Sequence, residues 1–331
     1  MKKKVRVIIP NYNGIKFLPD CIAALNRQSC DCFEILVVDN ASSDGSRRWI
    51  RKNKIPALLL DKNYGFAGGV NAGIRATSNK YTILLNNDTV VFEDFVEKLL
   101  KRIETSDKIF AVNPMMIQAN NKSLIDDAGD GYSLMGWAYQ RGTGENIKDY
   151  TKSSFIFAAC AGASIYRTDL VKRLGAFDEL HFAYLEDIDL SYRARLAGYI
   201  NIYEPAAKVY HLGSATSGSK YNSFKVRLAA RNNIYLNYKN QSNLQLLINI
   251  IPLLLGIILK GGFFYKKGFL KEYLTGIIEG LTTFKKCRRV DFKRIPVFRR
   301  LAVEFELFVG AERSEERRVG KECRSRWSPY H

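Results

Sequence analysis

Short apolar runs separated by stretches of helical period fill the first third of the chain. Val5–Pro10 (VRVIIP), Glu34–Asp39 (EILVVD), Ala57–Asp61 (ALLLD) and Tyr81–Asn86 (YTILLN) have the length and aliphatic content of strands. Lys16–Gln28, Ser43–Lys52, Phe66–Thr77 and Phe92–Thr105 read as helices, with Ser42 or Ser43 placed to cap the second. Glu93, Asp94 and Glu97 occupy the first turns of the last, where the helix macrodipole favours acids. Strands this apolar, alternating with helices, predict an α/β fold whose mostly parallel sheet is covered on both faces. Such sheets bind ligands beyond the carboxyl ends of their strands. Those ends carry Asn11-Tyr12-Asn13, Asp39-Asn40 and Asn86-Asn87-Asp88.

From Asn113 to Tyr150 the pattern turns Gly-rich and irregular. Phe155–Arg167 is apolar again, and the acidic stretch Ala183–Gly198 predicts a helix over Glu186–Arg195 with Ile188, Leu190 and Ala194 inward. Asn222–Asn240 predicts a further helix. Leu244–Phe264 is the most apolar window, interrupted by Gln245, Asn249, Pro252 and Lys260. Its clean run, Ile250–Leu259, is ten residues, where a membrane span needs about twenty.

Composition narrows this picture. With 331 residues, 37.7 kDa and 47% hydrophobic content, the chain can bury a large core, which excludes a disordered chain or a disulfide miniprotein. The net charge of +18 suggests an anionic partner, and its distribution says which. Residues 1–225 carry +6, residues 226–312 carry +9 and residues 313–331 carry +3. Twelve Lys/Arg against three acids lie within Lys260–Arg300, interleaved with apolar segments. That mixture suits an anionic membrane surface; the alternative is an amphipathic appendage packed on its own domain. No nucleic-acid-binding motif accompanies the charge, so no nucleic-acid partner is expected. The cysteines show no paired CxxC spacing, which disfavours a zinc site or disulfide framework and fits a reducing cytoplasm. The apolar run after Met1-Lys2-Lys3-Lys4 is too short for a signal peptide. Arg313–His331 lacks periodicity and resembles the translation of a sequencing-adapter oligonucleotide, so it is set apart from the fold and the natural C-terminus is expected to differ.

Three constellations can carry chemistry. Asn86-Asn87-Asp88 at a strand end offers hard oxygen ligands to a divalent ion bound to a diphosphate, or is an Asx-turn leading into the next helix. Glu186 and Asp187 open a helix, where one can serve as a general base or both can simply cap it; Asp189 and Arg193 are spaced to pair. His211 gains interest as a further ligand to an ion shared with Asp88.

Six segments then carry a resemblance: Val7–Gly14 (VIIPNYNG), Val37–Ser46 (VVDNASSDGS), Asn63–Ile74 (NYGFAGGVNAGI), Leu84–Val91 (LLNNDTVV), Gly175–Tyr199 (GAFDELHFAYLEDIDLSYRARLAGY) and Val209–Gly218 (VYHLGSATSG). In this order and spacing the chain resembles the family 2 glycosyltransferases, and most of all bacterial rhamnosyltransferase-like members that build cell-surface polysaccharide. The Arg231-Asn232 pair is similar to that subgroup as well. The resemblance covers residues 5–240 and implies a GT-A fold, a nucleotide-sugar donor and Mg²⁺ or Mn²⁺. It implies that Asp39 accepts from the N3–H of a uracil or thymine ring, with Tyr12 against that ring. Pro10, Asn40, Gly65 and Asn86 would complete the donor site, and Asn71 with the Gly68-Gly69 turn would approach ribose or phosphate. Asp88 would bind the metal, within a DxD-type motif that reads Asn-Asn-Asp here and keeps one carboxylate of two. His211 would be a further metal ligand, and Asp187, beside Glu186, the general base.

A single base taking the acceptor proton predicts inversion at the anomeric carbon. The acceptor is expected to meet Asn120–Ala163, at Trp137, Tyr139 or Arg141 and at Gly162 and Ala163. The expected arrangement is a transferase domain over 1–240 and an apolar, basic helical segment over 241–312. The expected function is transfer of L-rhamnose from dTDP-rhamnose to a polyprenyl-linked glycan, peripherally on the inner face of the cell membrane. A UDP-hexose or UDP-galactofuranose donor and a non-catalytic scaffold are the alternatives. A dinucleotide-binding dehydrogenase is disfavoured, because no GxGxxG follows the first strand.

Overall fold

The computed structural model describes residues 3–212 and 221–310. The resembling tail 313–331 and the second half of the Val209–Gly218 segment lie outside the described residues.

Four strands form the sheet nucleus: β1 (Val5–Asn11), β2 (Phe33–Asp39), β3 (Ala57–Leu59) and β4 (Tyr81–Leu84). They pair in parallel, in the order β3-β2-β1-β4. Helices α1 (Leu18–Asn26), α2 (Ser46–Lys52) and α3 (Gly65–Arg75) connect them. β1 reads Val5, Val7, Ile8 and Ile9 as fully buried, which is why its apolar run has no period of two. The sheet then continues through β5 (Thr89–Val91), β6 (Ile109–Gln118), β7 (Ile125–Asp127), β10 (Ser154–Ile156), β11 (Ile165–Arg167) and β12 (Ile200–His211), with α4 (Phe95–Glu104) packed on β6 and β12. β11 runs antiparallel between β4 and β6, and β6 and β12 form a second parallel pair. A separate two-stranded ribbon pairs β8 (Asp130–Tyr132) with β9 (Ala138–Gln140).

The helix boundaries follow the sequence closely, with physical corrections. The second helix is capped by neither Ser42 nor Ser43, because both hydroxyls bond to β1's exit, Ser42 accepting from Asn11 and Asn13 and Ser43 donating to Asn13. Gly45, at φ 98°, is the N-cap residue, and the Asp44 carboxylate accepts from Ser46 N–H instead. Phe155–Arg167 is two strands, β10 and β11, joined by the 157–164 loop. Cys30 and Cys32 are joined to each other, a local link across one residue where free thiols were expected.

Helices α5 (Thr168–Arg173), α6 (Glu186–Leu196) and α7 (Ser223–Asn240) complete the core. The Asp189–Arg193 pair of α6 forms as the spacing predicts, at 2.7 Å, and Lys239 of α7 joins it at 2.8 Å. Asp189 is fully buried; removing Lys239 would still leave it paired with Arg193, but would take the cationic partner from Asp178.

The apolar window splits into α8 (Asn243–Ile248) and α9 (Ile250–Lys266) at Asn249, whose side-chain amide is drawn inward to Gln241 and Glu304. α10 (Leu270–Thr283) returns along α7. Of α9 only Gly256 is buried, while Ile251, Leu254 and Ile258, with Ile278 and Leu281 of α10, face outward. Among the described residues, no helix is long and apolar enough to cross a membrane.

Candidate active site

The exits of β1 and β2 form one polar cluster. Asn11 donates to Asp39 at 2.9 Å and accepts from Asn87 at 2.7 Å, so one side chain ties all three strand-end segments together. Asp39 is 0% exposed, and its carboxylate takes Arg47 Nε at 2.6 Å and Ser42 N–H at 3.0 Å. Burial alone would raise this carboxyl, but bonds from Ser42, Arg47 and Asn11 outweigh it and hold it below the usual range. Asp39 is thus already engaged by protein donors, with Arg47 the charged one among them. Pro10 precedes this cluster on β1, and Tyr12 just beyond it is 42% exposed, free to offer a ring face.

The donor-side glycines and amides are arranged differently from the expectation. Gly68 and Gly69 lie inside α3 rather than in a turn. The Asn71 side chain is engaged within the protein: it donates to Phe177 O and Glu179 and accepts from Phe177 N–H, holding the segment before α6. Asn40 is likewise occupied, donating to Asn63 and Gly65 O and accepting from Tyr64 N–H. Gly65 has φ +74°, and a Cβ there would lie 2.4 Å from Phe182 O, so only glycine permits this approach.

Asp88 and His211 are brought together. β5 pairs antiparallel with β12, Thr89 opposite His211, which places His211 Nε2 3.4 Å from an Asp88 carboxylate oxygen. On the far side, His211 Nδ1 lies 2.7 Å from Asp126. Burial disfavours the charged ring, but Asp126 and Asp88 outweigh it and push its pKa up to about 10. With Nδ1 assigned as donor to Asp126, Nε2 is the atom aimed at Asp88. Once an ion displaces the proton from Nε2, one carboxylate oxygen and one imidazole nitrogen, oriented by an outer carboxylate, fit Mn²⁺ or Mg²⁺. Asn86 lies at the same edge, its N–H bonded to Gly162 O at 2.8 Å.

Glu186 and Asp187 open α6, as the pattern predicts. One Asp187 oxygen accepts Ala161 N–H at 3.2 Å, and the other accepts Ile188 N–H. Burial raises its pKa, against those two bonds. Glu186 is buried more deeply, with one carboxyl oxygen unpartnered, and burial with the Asp187 charge pushes its carboxyl well up. Asp187 is thus the more accessible base of the two.

Sequence reasoning missed Asp126, Asp127 and Asp130, which lie in the segment read as irregular. The signal was available: Ile125-Asp126-Asp127-Ala128-Gly129-Asp130 places three acids beside glycine. Asp130 and Asp187, with Cys160, present ligand atoms within 4.8 Å of one another. Burial, then Asp127 and Asp187, raise the Asp130 carboxyl strongly. The proton-holding cluster beside Asp187 is therefore larger than one pair.

The acceptor expectations need correction. Trp137 is 6% exposed and donates its indole N–H to Gly256 O of α9, so its face is spent on packing. Ala163 is 0% exposed in the core, and buried Gly162 contributes its carbonyl to Asn86. Tyr139 and Arg141 do line a cavity, of about 260 Å³, with Asp130, Phe155, Phe157 and Phe305. A larger cavity of about 500 Å³, around Lys80 and Arg167, shares no residue with this site.

Comparison with known proteins places this geometry. Residues 6–175 match the profile of glycosyl transferase family 2. An uncharacterized glycosyltransferase of Nostoc is 24% identical over 219 residues, covering 65% of this chain and 66% of that protein. The undecaprenyl-phosphate 4-deoxy-4-formamido-L-arabinose transferase of Klebsiella pneumoniae is 29% identical over 161 residues, covering 45% and 46%. The chain thus spans about two-thirds and about half of these relatives' lengths. Among solved structures, GalNAc-T7 with UDP, GalNAc and Mn²⁺ superposes with TM-score 0.57 at 15% identity, covering 71% of this chain and 47% of that one. The mannosyltransferase of Pyrobaculum calidifontis with GDP-mannose and Mn²⁺ gives 0.51 at 15%, covering 85% and 87%. With a GT-A fold and a profile match over half its length, the chain belongs to glycosyl transferase family 2 and is a glycosyltransferase.

Proposed function

We propose that this protein is an inverting, cation-dependent glycosyltransferase that moves a sugar from a nucleotide diphosphate donor to a polyprenyl-linked glycan. One observation carries the reading: the 160–162 segment bonds to both halves of the chemistry. Gly162 O accepts from Asn86 of the Asp88 loop, and Ala161 N–H donates to Asp187. A cation ligand and a base on one rim match the two needs of the reaction, which are a neutralised leaving group and a proton acceptor.

Asp187 takes the acceptor hydroxyl proton as that oxygen attacks the anomeric carbon; its raised pKa improves it as a base. Asp88 and His211 would hold Mg²⁺ or Mn²⁺, which when bound supplies positive charge to the departing diphosphate. Tyr12 offers its exposed ring to the nucleobase, with Arg47 and Asp39 behind it. The Tyr139–Arg141 cavity beside Asp130 suits the acceptor sugar.

Residues 1–240 form the transferase unit in this proposal, and residues 241–312 lay an apolar, basic surface on the inner leaflet of the cell membrane. The outward Ile251, Leu254 and Ile258 support it, and so do the similar undecaprenyl-phosphate enzyme and the +9 of this region. The proposed donor is dTDP-L-rhamnose. A panel of dTDP-, UDP- and GDP-sugars, read by nucleoside diphosphate release with a polyprenyl-linked acceptor, tests it. Release from dTDP-rhamnose is expected, and release from a UDP-sugar alone would replace rhamnose by that sugar.

A further inference from the structure

The backbone just before Asp187 is unusual. Phe182, Tyr184 and Leu185 have φ of 62°, 71° and 66°, three side-chain-bearing residues in the left-handed region within four positions. Such conformations persist only where the surroundings enforce them. Leu185 is the N-cap residue of α6, and no side chain caps that helix. The geometry at Asp187 is therefore imposed from outside its own element.

The outside element is α7. Asn232, 0% exposed, shares the two hydrogens of its side-chain amide among three carbonyls of this loop: His181 O at 2.9 Å, Ala183 O at 2.8 Å and Tyr184 O at 2.8 Å. Its own oxygen is held by Arg231 at 3.0–3.1 Å, and Arg231 also donates to Leu180 O and His181 O. Two turns further along the same face, Lys239 and Asn240 bond to Asp189 at 2.8 and 2.7 Å. Asp187 thus sits between two grips of one helix, one on the carbonyls before it and one on the carboxylate after it. α10 backs the first grip: a Cβ on Gly280 would come 3.0 Å from Arg231 O and 2.8 Å from the Ile234 side chain.

We infer that Asn232, seated by Arg231, is a positioning residue that sets the carboxylate of Asp187 for proton transfer. The inference rests on the reading of Asp187 as the base. Orientation errors of about 1 Å cost rate by about a hundredfold without changing what binds. A clamp acting on the base alone should therefore split kcat from binding.

The test uses the full chain with Asn232→Asp, which keeps the size and the oxygen but removes the donors. Arg231→Lys is the second variant, used if the first does not fold, and Asp187→Asn the reference. Turnover is read as nucleoside diphosphate release from the fastest sugar of a UDP-, dTDP- and GDP-sugar panel. Binding is read by calorimetry of UDP, dTDP and GDP with Mn²⁺, and loop order by amide hydrogen exchange. The clamp predicts kcat down about a hundredfold, donor KM and nucleotide affinity within about threefold, and faster exchange confined to residues 180–188. Unchanged kcat beside an inactive Asp187→Asn would overturn it, as would unchanged exchange over 180–188. A loss of nucleotide affinity as large as that of kcat would also overturn it, by marking a general structural role. Full turnover in Asp187→Asn would instead remove the base reading, leaving the exchange result to decide the clamp itself.

Discussion

His211 presents Nε2 to Asp88 at 3.4 Å because β5 and β12 pair with Thr89 opposite His211. Asp126, on the other ring nitrogen at 2.7 Å, fixes which atom faces Asp88. A cation site so built has a testable outer layer. Turnover should vanish in EDTA and return with Mn²⁺ or Mg²⁺. Asp126→Asn should weaken Mn²⁺ binding by about 10–100-fold in calorimetry while leaving both direct ligands in place. Full turnover in chelator would dispose of the site.

Asp187→Asn removes the proposed proton acceptor without altering size. Transfer should fall by about 10²–10⁴-fold, with nucleotide affinity unchanged. In the unaltered protein, kcat/KM should rise with pH along a limb centred above the usual carboxylate range, since burial raises this group. That limb should be absent from the residual activity of the variant.

His181 lies fully buried beside Tyr235, and burial lowers its pKa from 6.5 to about 4. Between those values the unfolded chain binds a proton that the folded one refuses. Its contribution is therefore complete above pH 6.5 and is lost as pH falls toward 4, amounting to about 3 kcal/mol at most. Denaturant midpoints across this range should fall more steeply for the protein than for His181→Gln. Parallel slopes would contradict the assignment.

The apolar, basic face of the C-terminal helices should bind vesicles rich in phosphatidylglycerol and leave phosphatidylcholine vesicles largely free. Each surface lysine contributes about 1 kcal/mol to such attraction, so replacing Lys266 and Lys267 by alanine should weaken partitioning about thirtyfold. Sedimentation with vesicles at two salt concentrations reads this directly. Equal binding to both lipids would sink the electrostatic part.

The elements of the parallel nucleus were legible because β1, β2 and β4 are buried on both faces, and aliphatic runs of that kind have few other uses. The resemblance singled out Asp88, His211 and Asp187, but not the strand pairing that brings the first two together. Asp39 and Asn71 were placed through the resemblance and Trp137 by residue type, yet Arg47, eight residues on, occupies the first, and Phe177 and Gly256, more than a hundred residues away, occupy the others. Asp126 and Asp130 escaped because the run of three acids beside Gly129 lies in a stretch without periodicity, which ties it to no element. The break at Asn249 follows from one amide turning inward, which hydropathy does not register.

The β5–β12 pairing also limits how this protein can be cut. The matched family segment, residues 6–175, contains Asp39 and Asp88 but neither Asp187 nor His211. A chimera or a fragment drawn at that boundary would keep Asp39 and Asp88 and lose both Asp187 and His211. During synthesis, likewise, Asp88 and His211 can meet only after β12 has left the ribosome and docked against β6. Any exchange of specificity between relatives must move the chain through α7 as one piece.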